Sequence, residues 1–86
     1  MSVAQDIERK LNEALAPTSL KVIDESHLHA GHVGARPEGE THFRVEVVSD
    51  AFADCSRVDR QRLVYDILRE ELAGPVHALS VQASPP

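Results

Sequence analysis

Five histidines occur in 86 residues, and three of them crowd into His27-Leu28-His29-Ala30-Gly31-His32. Imidazole is the side chain best suited to hold a transition metal reversibly near neutral pH. His42 follows this cluster and His77 lies near the C-terminus. A small acidic domain has little structural use for such a concentration, so metal ligation is the first chemistry to weigh. Covalent catalysis has little support. Cys55 has no histidine beside it in sequence, and Ser49 and Ser56 lack a nucleophile-elbow context; a buried or capping role accounts for each. Glu70 and Glu71 are adjacent near the end of a predicted helix, where neighbours point apart, so no acid–base dyad is indicated. The expected class is a binding module, not an enzyme.

A second chemistry resides in arginine. Arg57, Arg60 and Arg62 cluster where a helical segment is predicted to start, with Arg69 further along. Guanidinium groups there could meet nucleic-acid phosphates, helped by backbone N–H groups at the helix start. The same residues could dock a partner, or form an ordinary solvated face among Asp59, Asp66, Glu70 and Glu71. The net charge of −5 speaks against a generally basic nucleic-acid binder and leaves room only for a local basic face of weak, salt-dependent affinity.

The elements that position these groups are legible from pattern. Ser2 to Gln5 reads as a capping box, after which Val3, Ile7, Leu11, Ala14 and Leu15 recur at helical spacing until Pro17. Leu20 to Glu25 is a strand candidate. A loop from Ser26 to Glu40, about 15 residues rich in Gly, His and Pro, is long enough to be functional or disordered and is expected to be flexible. His42 to Val48 is the clearest strand, with Phe43, Val45 and Val47 alternating against His42, Arg44 and Glu46. Ser56 to Asp59 opens a short helix or turn, and Asp59 then caps a longer helix with a stripe of Val64, Ile67, Leu68 and Leu72. That helix ends at Gly74-Pro75. Val76 to Ala83 is the last strand. The result is one domain over residues 1–86, with a core of about 3–83 and a tail at 84–86.

This order locates the histidines. The first two strands pair antiparallel, and a helical crossover permits the last strand to run parallel to the second. His77 would then open the last strand beside the histidine loop, with His42 close by; an antiparallel last strand would put it at the far end. His42, opposite the Phe43 face, is read as a surface or packing residue, with ligation a lesser alternative. His27 is read as solvated or as support for a ligand. A plain zinc site from His-x-His-x-x-His is the weaker reading, because a Gly-rich loop preorganises ligands poorly. The lone Cys55 cannot form an internal disulfide, which fits a reducing compartment. With no membrane-length apolar run and no signal peptide, the expected location is cytoplasmic.

From Ile7 to Ala83 the chain resembles the BolA family. The landmarks are Asp24-Glu25-Ser26, the histidine-bearing loop, Glu40-Thr41-His42-Phe43-Arg44-Val45 and Val47-Val48-Ser49-Asp50-Ala51-Phe52. They continue with Ser56, Arg60-Gln61-Arg62-Leu63-Val64-Tyr65, Glu70-Glu71-Leu72 and Val76-His77-Ala78-Leu79. The resemblance implies an α+β fold, a single αββααβ domain similar to a class II KH fold without its GXXG loop. The expected form is a three-stranded mixed sheet with helices on one face.

The resemblance also implies pairing with a monothiol glutaredoxin and a [2Fe–2S] cluster shared at the interface, in cluster trafficking or iron and redox sensing. The alternative it implies is a DNA-binding transcriptional regulator using the Arg57, Arg60, Arg62 and Arg69 face. The isolated chain would hold no cofactor, and a homodimer is left open. The implied cluster ligands are His77 and a loop histidine. Counting forward from Glu25-Ser26 gives His29, and counting back from Thr41-His42-Phe43 favours the neighbourhood of His32; His29 is taken, with His32 in reserve. A cysteine of the partner and a glutathione thiolate would hold one iron, and the two imidazoles the other, as in Rieske centres. Such ligation is sensitive to acid, since only the unprotonated nitrogen binds. Two departures stand out. Gln61 replaces the middle histidine of an Arg-His-Arg motif, and a glycine usual after the phenylalanine is replaced around Asp54.

Overall fold

A computed structural model of the chain describes residues 2–25 and 41–86. The expected loop at 26–40 therefore lies outside the described residues. Helix α1 runs Val3–Leu15, strand β1 Ser19–Asp24, strand β2 His42–Val48, helix α2 Arg57–Ile67, helix α3 Arg69–Ala73 and strand β3 Ala78–Ser84. A 3-10 turn at Asp50–Phe52 joins β2 to the helices. The sheet order is β1-β2-β3, with β1 antiparallel and β3 parallel to β2, the arrangement that the helical crossover permits.

Local chemistry explains the ends of α1. The Ser2 hydroxyl accepts the Gln5 N–H while Gln5 Oε1 accepts the Ser2 N–H, so the capping box forms as read. At the other end Ala16 adopts a left-handed turn (φ 42°), its N–H donating to Asn12 O, just before Pro17 forbids continuation. Ile7, Leu11 and Leu15 present one buried stripe, whereas Ala14 is exposed. That stripe joins Phe43, Val45 and Val47 of β2 and Phe52, Val64, Leu68 and Val76 in a single core. Burying each of the phenylalanines contributes about 1.5–3 kcal/mol.

The helical region differs from the sequence reading. The break falls at Leu68, not near Asp59. Ser56 is the cap: its hydroxyl accepts the Asp59 N–H at 3.1 Å, which puts Asp59 inside the first turn, where its charge suits the helix dipole. Leu68 turns away from helical geometry (φ −101°, ψ 18°) while remaining buried, so the stripe Val64, Leu68, Leu72 continues across two helices. The outer strands are offset by one or two residues from the expected spans, and His77 immediately precedes β3 instead of lying within it.

Asp54 occupies a left-handed position (φ 64°), which explains why a glycine would be at home there. Asp54→Gly is expected to raise stability by about 0.5 kcal/mol and Asp54→Val to lower it by about 1–2 kcal/mol. Urea unfolding checks both, and the reverse order would show that the turn does not hold a positive φ.

One ion cluster ties the two ends of the helical layer together. Lys10 Nζ lies 2.7 Å from one oxygen of the nearly buried Glu71, donates to its other oxygen at 3.0 Å, and sits 3.5 Å from Glu70. The hydrogen bond to Glu71 raises the Lys10 pKa above its ordinary 10.5, against an opposing effect of desolvation. The ammonium is therefore favoured more in the folded chain than in the unfolded one. Its stabilisation is complete below the ordinary lysine value and lost as pH rises through the higher folded value. Unfolding midpoints should consequently fall more steeply above pH 10.5 in the wild type than in Lys10→Met. Parallel pH curves would remove this cluster from the account.

Candidate functional site

The parallel register sets His42 of β2 opposite Ala78 of β3, so the residue before β3 is brought to the start of β2. Thr41 carries the junction. Its carbonyl accepts the His77 N–H at 2.6 Å and the Ala78 N–H at 3.1 Å. The imidazoles of His42 and His77 are thereby held 5.4 Å apart, centroid to centroid, at an interplanar angle of 57°. His77 is exposed, whereas His42 is only 6% exposed. His42 Nδ1 is 2.8 Å from the hydroxyl of buried Thr41, a contact that fixes the ring's orientation. The His42 carbonyl accepts the Glu25 N–H, so β1 leaves and β2 enters at this same end. The segment 26–40, with His27, His29 and His32, is thus bounded by residues at this end; those three histidines lie outside the described residues.

Two residues along β2 on the same face, Arg44 Nε lies 3.8 Å from Glu25 and 3.4 Å from Glu46, shielded from solvent between opposite charges. The positive charge nearest the histidine pair along that face is balanced by carboxylates. Chemically, the edge offers an accessible imidazole at His77 beside a buried, oriented one at His42. Among the described residues no group of three or more His, Cys, Asp or Glu side chains converges on a metal position. A metal held at His77 would therefore draw further ligands from residues 26–40 or from a partner.

Of the two readings that the alternation of β2 gives His42, surface or packing residue, burial selects the second. That pattern correctly assigns it to the face opposite Phe43, but the face is covered at this row. The parallel register brings His77, just before β3, beside His42 at the start of β2, as the expected convergence has it.

The arginines do not form one face. Arg60 is half-buried, its Nε donating to Cys55 O at 3.1 Å and its Nη1 to Ala83 O at 3.3 Å. Arg69 lies 3.7 Å from Asp66 on the exposed side of the helices. Arg57 and Arg62 are exposed, but Arg62 is two residues from Arg60 and so about 200° around α2 from it. Among the described residues no helix is long and apolar enough to cross a membrane.

Comparison with known proteins agrees with this architecture. Residues 11–86 match the sequence profile of the family described as BolA-like protein. BolA-like protein 1 of Mus musculus is 51% identical over 80 residues, covering 93% of this chain and 56% of its own length. SufE-like protein 1 of Arabidopsis thaliana is 48% identical over 84 residues, covering 93% of this chain and 23% of that longer protein. The chain thus spans only part of these relatives. The solved BolA domain of SufE1 from Arabidopsis thaliana superposes with a TM-score of 0.90 at 46% identity, covering 100% of this chain and 94% of that one. With most of its length matched by the family profile and its whole fold shared with a solved member, the chain belongs to the BolA-like protein family.

Proposed function

We propose that this BolA-like protein is a regulatory binding module that shares a [2Fe–2S] cluster with a monothiol glutaredoxin and glutathione, supplying His77 and one loop histidine, His29 with His32 in reserve. The observation that carries the reading is the exposed His77, held by Thr41 at the sheet end where the histidine-bearing segment departs and returns. The donor chemistry fits, because imidazoles can replace two thiolates on one iron of such a cluster. When bound, the cluster supplies one-electron redox capacity and a transferable iron–sulfur unit. His77 offers a ring nitrogen at the surface, and its backbone N–H bond to Thr41 limits the movement of the strand start that bears it. His42 packs beside it and keeps that side of the ring occupied by protein. The Arabidopsis relative that carries a BolA domain in a SufE-like protein is consistent with an iron–sulfur-related role.

DNA binding by the arginines has less support, since Arg60 already bonds two carbonyls and Arg69 pairs with Asp66. The deciding experiment is anaerobic reconstitution with iron, sulfide, glutathione and a monothiol glutaredoxin, followed by visible absorption and circular dichroism. A spectrum distinct from that of the glutaredoxin alone supports cluster sharing; an identical spectrum overturns it.

A further inference from the structure

The outer edge of β3 carries a different arrangement. In the parallel ladder the Ala78 N–H bonds back to Thr41 and the Ser84 carbonyl accepts the Ser49 N–H, so residues 78, 80, 82 and 84 are turned toward β2. Leu79, Val81 and Ala83 therefore direct their backbone groups away from the sheet. Two of these three outward carbonyls are occupied by α2 side chains. Leu79 O accepts the Tyr65 hydroxyl at 3.2 Å, and Ala83 O accepts Arg60 Nη1 at 3.3 Å. The Val81 carbonyl and the N–H groups of all three residues make no hydrogen bond within the described residues. A groove of about 500 Å³ runs alongside, lined by Arg57, Arg60 and Gln61 of α2 and residues 81–84 of β3. In a chain with 14 acidic and 9 basic residues, this groove has two arginines and no carboxylate side chain in its lining.

We propose that this edge and groove form a second binding site, for an extended acidic segment of a partner protein that adds to the sheet as a fourth strand. Main-chain carbonyls of such a segment repeat at the two-residue spacing of the waiting donors on Leu79, Val81 and Ala83. A carboxylate on the segment meets Arg57, which is exposed, near the N-terminal end of α2, where the helix dipole also favours negative charge. The side chains that occupy the outer carbonyls discourage indiscriminate edge pairing and leave the donors available. A second copy of this chain fits less well: while its own Leu79 and Ala83 carbonyls are taken, it offers one acceptor, that of Val81, to three donors. Single-stranded nucleic acid fits less well too, because no aromatic ring lines the groove to stack a base. The groove end of the site, at Ser84, lies about 20 Å along the seven-residue β3 from the histidine end, whereas its first donor, on Leu79, is two residues from His77.

The test uses the full chain and an acetylated hexapeptide of alternating valine and threonine ending in two glutamates, followed by amide NMR and hydrogen exchange. The expected result is perturbation and protection of the Leu79, Val81 and Ala83 amides. Arg57→Gln should weaken binding about fivefold. Val81→Pro, which removes the central outward N–H on an edge strand that tolerates proline, should weaken it about tenfold or more. Absence of protection at millimolar peptide overturns the proposal, as does equal affinity of the Arg57→Gln variant. Occupation of these amides by a single-stranded oligonucleotide in place of the peptide, or by a second copy detected in sedimentation, overturns the assigned occupant.

Discussion

His77→Ala is expected to abolish the visible absorption and circular dichroism of the shared cluster while leaving the apo domain's stability within about 0.5 kcal/mol of wild type. The two halves of this expectation rest on different atoms. The exposed imidazole is what the variant removes, and the backbone N–H that bonds Thr41 O remains in alanine. Loss of spectrum can therefore be separated from loss of fold, which is what makes His77 the informative position. His42→Ala would not separate them. It removes a buried ring and its contact with the Thr41 hydroxyl, so a lost spectrum there could come from a disordered strand start. Paired variants of the loop complete the test: His29→Ala should remove the spectrum and His32→Ala should retain it. The opposite result moves the second ligand to His32, and full spectra in His77→Ala remove the carboxyl-terminal ligand from the proposal.

How much of this was legible depended on whether the signal was local. The span of β2 could be read from alternation because Phe43, Val45 and Val47 are buried, whereas Arg44, Glu46 and Val48 on the other face are only partly so. A helical crossover permits the parallel placement of β3 without requiring it, and the convergence of His42 and His77 rests on that placement. Other features depend on tertiary contacts that no spacing encodes. The break at Leu68 leaves the apolar stripe uninterrupted, so periodicity cannot reveal it. The burial of His42 was hidden because alternation reports which face a residue occupies, and not whether that face is covered. The capping of the β3 edge joins Tyr65 to Leu79 and Arg60 to Ala83, pairs 14 and 23 residues apart. Read from sequence, those arginines looked like one surface, whereas folding commits them to different tasks.

Ser49→Ala is expected to be the costliest of the conservative single changes considered for stability, lowering it by about 1–3 kcal/mol through one buried oxygen. Ser49 is fully buried, and its hydroxyl donates to the Leu15 carbonyl at 2.6 Å. That carbonyl belongs to the last turn of α1, where the helix supplies no N–H partner of its own. The same oxygen accepts the Ala51 N–H at 3.1 Å, closing the 3-10 turn, while the Ser49 N–H donates to Ser84 O across the sheet. Alanine keeps only the last of these bonds and leaves a carbonyl and an amide unpartnered near the core. For a domain of this size the loss corresponds to a fall of roughly 5–20 °C in Tm. Ser56→Ala provides the comparison, since its hydroxyl also caps an N–H but is exposed, and water can replace it. Urea midpoints at constant m should place Ser49→Ala clearly below Ser56→Ala, with faster amide exchange at Ala51 in the former. Equal costs would mean that solvent reaches the junction between α1 and the end of β2, and that the Leu15 carbonyl does not depend on Ser49 for its partner.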